Sequence, residues 1–399
     1  MYSKEQRPIV LIALVMAACL LGDSMLYIVL PAHWQEMGLT SLWQIGVILS
    51  VNRLVRLPLN PLVSRLYRKI SAKAGMSLAI VLAVLTTAGY GLVHNFYILV
   101  LLRCFWGLAW TFLRLGAYFT IIDHSTDANR GYCMGLYNGL YRLGSLVGML
   151  LGGFLAESRG VFFTCLLFSI LTLFSLPVVR HYVRDTEEGL AASAAKEKDF
   201  SLFAQGKVLA ALLAGTFLAM LYQGMFTSTL SYLVKLHYPA GLSLAGFVLG
   251  ASSIGGVLQA LRWGWEPWLA PGFGKLADGP CGRYKVLVLS TFVAAVGFGA
   301  ISLELKAWVW LALVMVVQLT ATALTTVADT LAADVAVGAA KVKIMTLYSL
   351  LIDVGSALGP LVAFFANQYI APAASCYVAV AVLLVLTLGY LPAALKSHT

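Results

Sequence analysis

MGLYNGLYRLGSLVG at 134–148 and MTLYSLLIDVGSALG at 345–359 are two copies of one pattern. At a shift of 211 residues Met134 meets Met345, Leu136 meets Leu347, Tyr137 meets Tyr348 and Leu140 meets Leu351. Gly144, Ser145 and Gly148 likewise meet Gly355, Ser356 and Gly359, and upstream Asp123 meets Asp334. Eight identities in 26 residues is several times the roughly two expected of unrelated apolar sequence. The chain is therefore a duplication, and Arg142 and Asp353 hold one repeat position with opposite charge. Near the start of each half the shift is 200, matching Met25 with Met225, Leu30 with Leu230 and Gly46 with Gly246. The two shifts imply about ten extra residues between Gly246 and Pro271, around Trp263-Gly264-Trp265-Glu266-Pro267-Trp268.

Composition says where this duplication resides. The 399 residues are 60% hydrophobic and 11% charged, with mean hydropathy +0.87. Soluble domains carry about 25% charged residues, so this chain cannot cover a water-facing surface. It reads as an integral membrane protein, with no room for a soluble catalytic domain and no enzyme activity expected. Apolar runs give spans near 8–31, 42–64, 74–94, 96–122, 131–156, 160–180, 207–234, 242–273, 286–303, 307–333, 344–368 and 373–395. These are twelve helices in two pseudo-symmetric six-helix bundles, an all-α polytopic architecture. The expected domains are 1–180, a cytoplasmic linker at 181–206 whose charges are mixed with alanines, and 207–399. The first apolar run is longer than a signal-peptide core and lacks a small-residue cleavage site.

With both termini in the cytoplasm, the inside connections hold 18 Lys and Arg and the outside ones 3. The positive-inside rule favours that orientation, and the bacterial inner (plasma) membrane is the expected location. The net charge of +10 then follows from topology, and no nucleic-acid partner is implied. Cys19, Cys104, Cys133, Cys165, Cys281 and Cys376 have no paired spacing, so neither disulfides nor a metal cluster is suggested. His33, His94 and His237 lack a second ligand at metal spacing, and the tryptophans cluster near span ends as interface anchors. There is no phosphate loop, nucleophile motif or H-E-x-x-H, so no cofactor is expected.

The motifs between the spans resemble those of the major facilitator superfamily of secondary transporters. Gly274-Lys275-Leu276-Ala277-Asp278-Gly279-Pro280-Cys281-Gly282-Arg283 resembles that family's signature between the second and third helix of a half. The resemblance implies that Gly274 permits close packing while Asp278 and Arg283 clamp the cytoplasmic helix ends. The first half departs from it, with Ser64 for the Gly and Arg68 for the Asp. Arg103-x-x-x-Gly107-x-Ala109 resembles the fourth-helix signature of proton-driven members. Gly148-Met149-Leu150-Leu151-Gly152-Gly153 resembles the fifth-helix antiporter signature, with Met149 in place of Pro, whereas Gly359-Pro360 carries the pair in the repeat.

Six basic residues fall inside spans: Arg53, Arg56, Arg103, Arg114, Arg142 and Arg262. A charge at membrane depth costs a few kcal/mol, so each must face protein, water or a partner. The acids at comparable depth are Asp23, Glu266, Asp329 and Asp353. Arg53, Arg56, Arg114 and Arg142 are the candidate substrate ligands, since guanidinium recognises carboxylate and phosphate bidentately. Alternatively Arg142 and Asp353 are structural interdomain ion pairs. Asp23, Asp353 and Glu266 are the candidate proton-coupling groups, against the alternative that Asp23 forms a permanent salt bridge with Arg103 or Arg114. Arg103, Gly107, Gly148, Gly152, Gly274, Asp278, Arg283, Gly359 and Pro360 serve gating or structure. The function expected from the resemblance and the charges is alternating-access transport of a small anionic organic solute, proton-coupled and outward, by a monomer in the lipid bilayer. A multidrug exporter, a lipid-headgroup flippase and a transport-inactive receptor or scaffold are the competing readings.

Overall fold

The computed structural model describes residues 7–126, 129–183, 206–244, 247–279, 282–336 and 341–396. The linker assigned to 181–206 lies almost wholly outside them. The first sequence half folds as α1 (Arg7–His33), α2 (Leu42–Leu54), α3 (Arg56–Leu66), α4 (Ala72–Leu92), α5 (Phe96–Asp123), α6 (Arg130–Leu173) and α7 (Ser175–Tyr182). The second runs α8 (Gly206–Leu218), a π-helical segment (Ala219–Phe226), α9 (Thr227–His237), a hairpin of β1 (Leu242–Leu244) and β2 (Phe247–Leu249), then α10 (Ala251–Asp278). It closes with α11 (Arg283–Ile301), α12 (Ala307–Val335), α13 (Lys341–Tyr369) and α14 (Ala374–Lys396).

Among the described residues nine helical stretches are long and apolar enough to cross a membrane. One of them, Tyr132–Tyr182, is 51 residues long and breaks at Gly160, whose φ of 85° only glycine adopts cheaply, so it makes two passes. The α2–α3 pair, helices of 13 and 11 residues, and α10, which carries Arg262, Glu266 and Lys275, fit the remaining passes of the twelve-helix plan. Helix α2 stops at Leu54 because Pro58 has no N–H to give the carbonyl four residues back. Asn95 accepts hydrogen bonds from the amides of Tyr97 and Ile98 and so sets the start of α5.

The expected span at 242–273 is corrected: its first residues form the hairpin, and the helix begins at Ala251. The expected insertion around Trp263–Trp268 is corrected as well. Helix α1 has 27 residues against 32 for Gly206–His237, and the following connection lengthens from Trp34–Ser41 to Tyr238–Gly250. The extra residues therefore lie before α10. From there on the repeat is in register, because Gly46 packs on the carbonyl of Pro360 and Gly256 on that of Met149, 211 residues earlier.

The chain forms two compact units, one of residues 1–40, 47–194 and 250–260, the other of 41–46, 195–249 and 261–399. In the first, α6 lies along α1 with glycines at the contact. Gly144 abuts Ala17, Gly148 abuts the carbonyl of Leu21 and Gly152 abuts Met25, one turn apart on both helices. In the second, Gly355 abuts Thr216 and Gly359 abuts Met220 and Met225 in the same way.

Candidate functional site

The first unit holds a closed polar core. Arg103 is 0% exposed and Asp23 7%. Their Nη1 and Oδ1 atoms are 2.5 Å apart. Arg103 Nε donates to the carbonyl of Ile48 at 3.0 Å, and Asn52 Nδ2 donates to Asp23 Oδ1 at 3.2 Å. The rings of Tyr27 and Tyr90 flank the guanidinium with centroids at 6.0 and 5.8 Å. Gly107, one turn after Arg103, lets α2 close in, since a Cβ there would sit 2.5 Å from Val55 and 2.6 Å from the Asn52 carbonyl. Of the two partners weighed for Asp23, Arg103 is the one it meets.

Arg53, Arg56 and Arg114 of this unit lie by aromatic rings. Arg53 Nε donates to Tyr27 Oη at 3.3 Å. Arg56 sits 5.4 Å from the Trp110 ring, and Arg114 5.7 Å from the Tyr118 ring, whose hydroxyl accepts from Arg114 Nε at 3.1 Å. A ladder of rings joins those two sites. Trp110 lies 6.0 Å from Tyr141, Tyr141 5.0 Å from Tyr137 and Tyr137 6.2 Å from Tyr118. Arg142 follows Tyr141 and is exposed. A guanidinium held over a ring is partly desolvated and fixed in place, and its charge remains one that carboxylate and phosphate recognise. The sequence reading found the arginines and missed the ladder. Its signal is the four-residue spacing Trp106, Trp110, Arg114, Tyr118 on α5 and Tyr137, Tyr141 on α6.

The second unit is built differently around the π segment. Arg262 is 3% exposed. Its Nη1 reaches the Tyr222 carbonyl at 3.4 Å and its guanidinium lies 5.6 Å from the Trp263 ring. Thr227 Oγ1 donates to the same carbonyl at 2.8 Å, so side chains serve the backbone that the wide turn exposes. Tyr222 Oη pairs with Thr320 Oγ1 at 3.0 Å, and Trp265 Nε1 donates to Thr322 Oγ1 at 3.2 Å. Both amide atoms of the buried Gln318 and Oε2 of Glu266 have no hydrogen-bond partner. Asp353 is half-buried on α13. The charge clamp is formed here: Arg283 Nη2 meets Asp278 Oδ1 at 2.8 Å and Nη1 also meets Asp334. Gly274 is corrected as a packing residue, since a Cβ there would be 3.9 Å from its nearest neighbour, Thr326. In the first unit Tyr67, the residue before Arg68, donates its hydroxyl to the Phe112 carbonyl at 2.8 Å between Gly75 and Gly116. No metal-ligating cluster occurs among the described residues.

Two repeated bundles of membrane-length helices with charges buried in their cores define a secondary transporter. The family model described as Major Facilitator Superfamily matches residues 12–265. This chain belongs to that superfamily. Similar solved structures include a bacterial homologue of the human lysosomal transporter Spinster, with TM-score 0.75 and 14% identity over 99% of this chain and 98% of that one. The nucleoside transporter NupG gives 0.74 and 11% over 99% and 100%. A peptide transporter, POT, in complex with sulfate gives 0.74 and 13% over 99% and 95%. At these identities the likeness is one of fold. No curated protein matches the chain.

Proposed function

We propose that the protein moves a small anionic organic solute across the bacterial inner membrane, with both termini cytoplasmic, in exchange for protons and in the outward direction. The observation that carries this reading is the arginine–aromatic ladder of the first unit, Arg56 on Trp110 and Arg114 on Tyr118. Two cations on aromatic supports favour a ligand that brings negative charge, and the rings offer it a flat apolar wall. Arg53, on Tyr27, and Arg142, next to Tyr141 in sequence, are the further candidate ligands. Asp23 serves coupling: its charge is tied to the buried Arg103, so neutralising the carboxylate releases a guanidinium on α5, the helix that also carries Trp110, Arg114 and Tyr118. Glu266 and Asp353 are the coupling groups of the second unit.

The test is transport by Asp23→Asn in proteoliposomes loaded with a mixture of carboxylates and phosphate esters. Gradient-driven movement should be lost while exchange without a pH gradient persists, because exchange needs no net proton movement. Full gradient-driven transport by the variant would leave Asp23 a structural charge only.

A further inference from the structure

We propose that Glu157 is a latch that fastens the first turn of α10 to α6, and that its release frees that helix end during the transport cycle; only this consequence rests on the transport reading. The carboxylate takes four donors. Oε1 accepts the amides of Ser252 at 2.7 Å and Ser253 at 3.1 Å. Oε2 accepts the amide of Gly250 at 3.0 Å and the hydroxyl of Ser253 at 2.5 Å. These are the orphan N–H groups of a helix start, where the backbone dipole also favours negative charge. A carboxylate from another helix thus does the work that a local cap performs elsewhere, and it does so only while the two helices touch.

The backbones are built to meet there. Gly153 of α6 faces the carbonyl of Ser252, and Gly256 of α10 faces that of Met149. The Glu157 carboxylate fills the space that a Cβ at Gly250 would take, so a side chain there would push it aside. Although α10 belongs to the second half of the sequence, residues 250–260 pack within the first unit, and Glu157 sits where they are held. The repeat contains the same joint in weaker form. Gln368, 211 residues after Glu157, accepts only the amide of Leu42 at 2.9 Å, at the start of α2. Of the two joints, the one at α10 is held by a charge and four bonds, the one at α2 by a neutral amide and one.

Charge-assisted hydrogen bonds are the stronger kind, so the two joints should respond differently to loss of the capping side chain. The reporter is Ser252→Cys, which is near isosteric and sits where the native side chain is fully buried. Its reaction with N-ethylmaleimide is followed by peptide mass spectrometry on the purified full chain. Adding Glu157→Gln should raise the labelling rate about tenfold or more, while adding Gln368→Ala should leave it within about twofold. Should the glutamine variant not accumulate, Glu157→Asp, too short to reach α10, is read in the same way. Unchanged labelling in the Glu157 variant would overturn the latch. The readout needs no substrate, so a failure of the transport reading would be seen separately.

Discussion

The two units answer one demand, a charge buried at membrane depth, in opposite ways. In the first, Asp23 on α1, Asn52 on α2 and Arg103 on α5 close on one another. The repeat positions in the second unit are Gln223, Arg262 and Val314. The arginine has moved from the fifth element to the tenth, the carboxylate has become an amide, and the fourth-span position is a buried valine. Arg262 donates to a backbone carbonyl of the π segment and lies by an indole face, and the Glu266 carboxylate, four residues on, acts on it only through space. A neutral pair can sit in a dry core indefinitely, whereas a cation held by dipoles is far less completely compensated. The first core is thus held by a charge pair that only a change of charge would open, the second by weaker dipolar contacts.

That contrast makes unequal demands on substitution. Arg103→Met strands Asp23 and should cost about 3–5 kcal/mol, seen as loss of folded yield or a large drop in melting temperature in detergent. Arg262→Met removes a cation that donates no hydrogen bond to a carboxylate and should change stability by about 1 kcal/mol or less. Equal costs would break the comparison. A construction sharpens it: Val314→Arg alone should abolish folding, and Gln223→Asp added to it should recover about 1–3 kcal/mol if the first unit's pair can be rebuilt in the second. No recovery would mean that the π segment has moved the repeat positions apart.

The passes and their duplication were legible because apolar runs and repeated identities survive without knowledge of contacts. The segment 242–249, LSLAGFVL, was misread because a short apolar run looks alike as strand or helix start. Trusting the match of Gly46 with Gly246 displaced the insertion; Gly256 is the true counterpart, as the paired carbonyls of Pro360 and Met149 reveal. The break between α2 and α3 was announced by Pro58 and passed over. For the site, counting charges identified the arginines and the alternative partners of Asp23. It could not choose between Arg103 and Arg114, which share a face of α5 eleven residues apart and differ only in what packs opposite. The glutamate at 157 drew no notice because a single acid at a span end looks like surface.

A smaller effect is expected within the ladder. Tyr118→Phe keeps the ring under Arg114 and deletes only the hydroxyl that accepts from Nε, so affinity for the anionic solute should fall about threefold, with folded yield unchanged. A loss as large as that of the arginine itself would mean that the hydroxyl touches the ligand.

The central claim is that the arginines of the first unit bind an anion, and a melting-temperature screen of small carboxylates, phosphate esters and organic cations tests it most directly. Ligands that bind the folded protein raise its melting temperature. At least one class of anion should stabilise the native chain, and Arg114→Gln should keep its fold yet lose that shift. Stabilisation by the cations alone, or an anion shift that survives Arg114→Gln together with Arg56→Gln, would contradict the account.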